Sequence, residues 1–184
     1  MMLATAKWTI ADYHSMVAAG ILAGRQVELL QGDIVEMPPE GEPHAYASDE
    51  AAEYLIYLLA DRAKVRQAKP ITLLNSNSEP EPDIAVVQRL GREYREHHPY
   101  AENIFWVIEY SDSSLSKDRE VKSKVYALAG IREYWLINVR ANQLIVFREP
   151  TQQGYQSRET FTQGYVNPLA FRDLQVEIRR LLGM

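Results

Sequence analysis

Two carboxylates stand at the ends of strongly apolar segments. Asp83 follows Pro82 and opens Ile84-Ala85-Val86-Val87, while Glu109 closes Ile104-Phe105-Trp106-Val107-Ile108, 26 residues further on. A charge at the edge of so apolar a segment is costly unless it is paired or binds a cation. If the two segments are neighbouring strands, both carboxylates emerge at one end of a sheet. Two hard oxygen ligands with positions left for water and phosphate suit Mg2+ or Mn2+. The bland alternative is that each acid ends its strand in solvent. Downstream, Asp118, Lys122 and Lys124 lie in a helical stretch whose apolar stripe is read as Val121, Val125, Leu128 and Ala129. Two readings stand for Lys122. It could pair with Asp118 one turn away, or it could sit beside Glu109, where an ammonium could orient an attacking water or stabilise developing charge on phosphorus.

Other chemistries have no residues to carry them. There are no cysteines, which removes disulfides, thiolate zinc sites and cysteine nucleophiles. No Walker loop, GxGxxG or GxSxG occurs, and His14, His44, His97 and His98 form no HExxH or similarly spaced pair. Two basic segments, Arg62-Lys64-Arg66-Lys69 and Arg89-Arg92-Arg95 with His97 and His98, could position phosphates or could simply be solvated. Trp106, Tyr126, Tyr134 and Trp135 fall in apolar periodic segments and read as core.

The elements that must position these residues are legible from periodicity. Thr9 to Gly20 reads as a short helix capped by Thr9, with Asp12 in its first turn. Val27–Leu30 and Ile34–Met37 read as a hairpin around Gln31-Gly32-Asp33, and Pro38 to Pro43 as a loop. A long amphipathic helix is expected from His44 to about Lys64. Strands are expected at Ile71–Leu74, Ile84–Val87 and Ile104–Ile108, the last central because it is continuously apolar. A helix from Ser116 to Ala129 ends at Gly130, and Glu133–Asn138 with Gln143–Phe147 form a second hairpin. A short strand near Tyr155 to Phe161 and a closing segment, Leu174 to Leu182, complete the chain. This order indicates a mixed α/β layer rather than repeated βαβ winding.

Length and charge set the outer bounds. The 184 residues are 46% hydrophobic and 24% charged, values of a folded globular chain long enough for one domain. No apolar run is long enough to span a membrane, and the first residues lack the layout of a secretory signal, so a cytoplasmic protein is the expectation. The net charge of -5 does not advertise a nucleic-acid binder. Its distribution is uneven, though: eight acids and no Lys or Arg lie between Val27 and Ala60, directly before the first basic run.

Pro82-Asp83, Glu109-Tyr110-Ser111 and the run from Asp118 through Lys122, Tyr126, Gly130 and Glu133 to Trp135 together resemble the Uma-two family of endonucleases. That family lies within the restriction-endonuclease-like, PD-(D/E)XK superfamily. The early hairpin, Val27 to Met37, with Pro38 and His44 after it, is also similar to the family's start, so the resemblance covers nearly the whole chain. It implies one restriction-endonuclease-like domain over residues 1–184: an N-terminal helix and hairpin (1–43), a nuclease-like core of mixed β-sheet flanked by helices (44–148) and C-terminal strands (149–184). It implies a Mg2+- or Mn2+-dependent nuclease acting on nucleic acid, DNA first, and a homodimer. Asp83 and Glu109 would be the metal-binding acids, with the Tyr110 carbonyl as third ligand. The superfamily's lysine should stand two places after the acid, yet position 111 is Ser. Lys122 is the matching position, with Lys124 in reserve. Glu28 matches an early acidic position and either completes the site or is a plain hairpin residue. His44 either contacts phosphate or caps the helix. A nuclease-fold binding module without turnover, acting as a homodimer, is the competing class, and a hydrolase of small phosphoesters a third.

Overall fold

The computed structural model describes residues 5–111 and 120–184 in full, and the backbone of residues 117–119. Helix α1 (Ile10–Ala18) begins at Thr9, whose side chain takes the Asp12 amide while Asp12 returns a bond to the Thr9 amide. Strands β1 (Val27–Leu30) and β2 (Asp33–Glu36) form a hairpin. Its two-residue turn needs positive φ at both Gln31 and Gly32, the geometry that matches strand twist. At Gly32 a side chain would also strike the Trp8 carbonyl.

Helix α2 (Glu42–Leu59) starts after Gly41, two residues before the expected His44, and stops with its last apolar position, short of the expected end near Lys64. Ala60 turns to φ 44°, and the polar stretch Lys64–Gln67 becomes strand β3. This corrects the sequence expectation: β3 is an edge strand whose place is set by pairing with β4 (Ile84–Val87), not by its own hydrophobicity. The expected strand at Ile71–Leu74 is likewise replaced. Ile71 and Leu73 are fully buried, but the segment makes only isolated bridges before a single 3-10 turn, Leu74–Ser76.

The main sheet continues with β5 (Ile104–Ser111), β6 (Glu133–Asn138), β7 (Gln143–Thr151) and β8 (Gly154–Phe161), in spatial order β3-β4-β5-β6-β7-β8. All neighbours are antiparallel except β5 and β6, which α3 (Lys117–Ala129) connects as a crossover. Strands β9 (Tyr165–Val166) and β10 (Val176–Glu177) make a small separate pair before the short α4 (Ile178–Leu181).

Both faces of the sheet are covered, which explains why β4 and β5 are apolar on successive residues rather than alternate ones. Ile84, Val86, Trp106, Ile108 and Tyr110 pack with α2 and the C-terminal segment. Ala85, Val87 and Val107 pack with Val125, Tyr126 and Ala129 of α3. Trp106, Tyr126, Tyr134 and Trp135 are all fully buried. Among the described residues no helix is long and apolar enough to cross a membrane.

Candidate functional site

The register of two strands creates the site. Ile84 lies opposite Ile108 in an antiparallel pair, so one step further along Asp83 faces Glu109. The Tyr110 amide donates to Asp83 Oδ2 at 2.5 Å, fixing that carboxylate against the end of β5. Side chains alternate along a strand, so Glu109 shares the face of Val107, toward α3, while the Tyr110 ring goes to the opposite layer, where its hydroxyl donates to the Leu181 carbonyl.

Helix α3 then supplies two donors one turn apart. Lys122 Nζ lies 3.1 Å from Glu109 Oε1 and 3.1 Å from Glu28 Oε2, and the Tyr126 hydroxyl donates to the same Glu109 Oε1 at 2.5 Å. The inward face of α3 is therefore Lys122, Val125, Tyr126 and Ala129. Val121, expected in the stripe, is exposed, as is Lys124. The alternative pairing of Lys122 with Asp118 involves a side chain outside the described residues. Glu28 is buried on β1, and its Oε2 also accepts the Glu81 amide at 3.2 Å. Glu109, Lys122 and Glu28 are thus joined directly from β5, α3 and β1. Asp83, just before β4, lies within the fields of Glu109 and Lys122 without a direct side-chain bond to them among the described residues.

His44 lies in the first turn of α2, where Gly41 is the N-cap, so it does not cap the helix. Its Nε2 instead faces Asp83 Oδ1 at 3.2 Å, and its ring lies 5.8 Å from that of Tyr110. That nitrogen is buried and makes no well-aligned hydrogen bond, so the contact is an ion-pair approach. Glu40, exposed in the preceding loop, joins it: Glu40, His44 and Asp83 each offer a ligand atom within 4.8 Å of the others. Carboxylate oxygens with one imidazole fit a divalent cation such as Mn2+ or Mg2+. On the other acid, Oε1 of Glu109 is already taken by two donors, while Oε2 accepts no hydrogen bond among the described residues.

Electrostatics follow from burial and crowding. Burial pushes the Glu109 carboxyl up to about 7, with Asp83 and Glu28 adding to the rise and Lys122 and the Tyr126 hydroxyl opposing it. Burial disfavours the Lys122 ammonium, but Glu109, Glu28 and Asp83 outweigh that and hold it above its usual range. Burial likewise works against a charged His44, while Asp83, Glu40 and Glu109 raise it on balance. Burial lifts the Tyr126 hydroxyl well above its ordinary value, so it remains a donor.

The basic segments serve the fold more than the site. Arg62 pairs with Asp173 and lies over the Phe171 ring. Arg66 stacks on Tyr94, and Arg89 donates to the Ala60 carbonyl. Three residues of the site escaped sequence reading: Tyr126, Glu40 and Glu81. Only Tyr126 carried a usable signal, its i,i+4 spacing from Lys122.

Residues 10–179 match the Uma2 family, described as "Putative restriction endonuclease". A crystal structure from Anabaena variabilis ATCC 29413, described as "a putative nuclease belonging to DUF820", superposes with a TM-score of 0.69 at 21% identity, covering 85% of this chain and 89% of that one. That likeness shows a shared fold. Among curated proteins none matches the chain.

Proposed function

The chain belongs to the Uma2 family, and on that premise we propose that it is a divalent-metal-dependent nuclease that hydrolyses phosphodiester bonds of nucleic acid, DNA first, with Mg2+ or Mn2+. The observation that carries this reading is that Asp83 and Glu109 stand at facing positions of neighbouring antiparallel segments, with the Tyr110 amide bonded to Asp83 and Lys122 bonded to Glu109. Asp83 and Glu109, with the Tyr110 carbonyl, are the residues that would hold the ion. Glu40 and His44 extend the donor set around Asp83.

When bound, a divalent ion supplies Lewis-acid polarisation of the phosphodiester and a nucleophile near neutral pH. The chain's own groups do the positioning. The Tyr110 amide holds one oxygen of Asp83, so the other faces His44. Lys122 and Tyr126 grip one oxygen of Glu109 and so set the orientation of the other. Glu28 also holds the ammonium of Lys122, fixing in place a positive charge that can meet negative charge developing on a phosphoryl oxygen. The displaced lysine is no obstacle, because what matters is where its nitrogen sits and not its distance in sequence from the acid.

One observation favours a second reading, a nuclease-fold module that binds without turnover: Lys122 is already engaged by two carboxylates. The same experiment separates them. Purified protein is incubated with single- and double-stranded DNA and RNA in Mg2+ or Mn2+, alongside Asp83→Asn. Metal-dependent cleavage that Asp83→Asn lowers by at least about a thousandfold is expected, on the scale of losing a principal catalytic group. Cleavage that persists in the variant removes Asp83 from the mechanism. Folded wild-type protein that gives no cleavage with either metal favours the module.

A further inference from the structure

A cavity of about 400 Å3 opens between α1 and the segment Glu79–Glu81, and no step of the proposed hydrolysis uses it. Val17, Ala18 and Pro70 give it an apolar wall, and His14, His98 and Glu81 give it polar edges. Its polar side is built rather than incidental. Glu79 is buried and accepts bonds from the Thr72 hydroxyl at 2.7 Å and from His14 Nε2 at 2.8 Å, which fixes the imidazole at the cavity wall. The same segment is tied to β1 by paired backbone bonds between Leu29 and Glu79. Glu81 belongs to both places: it lines the cavity, its amide donates to Glu28 Oε2, and its carboxylate lies within the fields of Glu28, Lys122 and Lys69.

We propose that this cavity is a subsite for an unpaired nucleobase adjoining the phosphodiester to be cut, so that the substrate is single-stranded or locally unpaired nucleic acid. The inference rests on the nuclease reading and deepens it. The volume falls in the range of small-ligand sites and admits a base with its sugar. Val17, Ala18 and Pro70 offer apolar contact to the ring faces. The carboxylate of Glu81 accepts from an exocyclic amino group, as acidic side chains do from cytosine, and the imidazoles can donate or accept. The charge of Glu81 also sorts the two halves of a nucleotide: it repels phosphate from the cavity, while Lys69, within whose field Glu81 lies, favours phosphate beside it. A base that is paired and stacked in a duplex cannot enter such a concavity without being extruded. The net charge of -5 fits a protein that grips a base rather than a long run of duplex phosphates.

The test measures binding in EDTA by fluorescence anisotropy, with three probes of one sequence: the single strand, its duplex, and a single strand carrying consecutive abasic nucleotides. Wild-type protein is expected to bind the intact single strand at least about tenfold more tightly than the other two, the gain of one well-held base. Ala18→Trp fills the cavity from an exposed helix position and should bring the intact strand down to the abasic level, with circular dichroism confirming the fold. Equal affinity for intact and abasic strands, tighter binding of the duplex, no binding at all, or an unchanged Ala18→Trp each overturns the subsite. Hydrolysis of bis(4-nitrophenyl) phosphate with Mn2+, which offers a diester without a base, tests the nuclease reading separately. Its absence in wild-type protein counts against catalysis and leaves the binding comparison intact.

Discussion

Glu109 shows how a single carboxylate is prepared. It is buried beside two other acids, which raises the cost of its charge, and one lysine and one tyrosine hydroxyl lower that cost from a single side. The sign of the pH dependence follows. A ligand carboxylate must be deprotonated to bind metal, so Mn2+ affinity should rise with pH as Glu109 titrates near 7 and level off above it. Tyr126→Phe keeps the ring in the core and removes a donor that favours the charged form. Its binding midpoint should therefore move to higher pH, by a fraction of a unit to one unit. Calorimetric Mn2+ titrations between about pH 5.5 and 8.5 read both curves. A midpoint unchanged in Tyr126→Phe would mean that the hydroxyl serves packing alone.

At the scale of elements, α3 decides whether the lysine reaches the acid. The helix must present Lys122 and Tyr126 inward and then end abruptly so that β6 can run parallel to β5. Gly130 makes that ending, at φ 83°, and a Cβ there would meet nothing within 4 Å. The cost of Gly130→Ala is then purely one of backbone conformation, about 1–2 kcal/mol, which lowers the melting temperature by about 2–8 °C in a chain of this size. Thermal melting followed by circular dichroism checks it. A much larger loss would point to displacement of β6, with an accompanying loss of metal binding. Sequence reading found the end of α3 because a helix-breaking glycine is a local signal; its expected start, Ser116, lies outside the described residues. Periodicity turns the helix toward Val121, however, because it counts apolar residues and gives a lysine no inward preference. Two carboxylates across the interface make the inward ammonium affordable.

Across the whole molecule, one buried ion pair joins the sheet to the C-terminal segment. Glu133 is fully buried on β6. Its Oε1 accepts from Arg148 Nη2 at 2.7 Å and Nε at 3.0 Å and from Trp135 Nε1 at 3.0 Å, and its Oε2 accepts the Leu169 amide at 2.7 Å. Arg148 also donates to the Asn167 carbonyl. Arg148→Met should cost about 3–5 kcal/mol, since it strands a buried charge, and Glu133→Gln combined with Arg148→Met should recover much of that loss. Urea unfolding of the three proteins checks this. If the single and double variants are equally unstable, the Arg148 stem, and not its charge, holds the segment.

What the sequence determined by itself was local: the Thr9–Asp12 cap, a Gly-containing turn between β1 and β2, the continuously apolar β5, the stop at Gly130, and the placing of Asp83 at the mouth of β4. Each is written in neighbouring residues, because turn geometry, capping and periodicity act over a few positions. Glu109, expected to close its strand, lies within β5, which runs on to Ser111. Tertiary structure alone decided that Lys64–Gln67 pairs as an edge strand while the more apolar Ile71–Leu74 does not. It also decided that Asp83 faces Glu109 in register, that Glu28 arrives from the first hairpin to hold Lys122, and that Glu40 and His44 close on Asp83. Those outcomes depend on which strands become neighbours, and hydrogen-bond pairing and the burial of charge against charge are settled between segments, not within them.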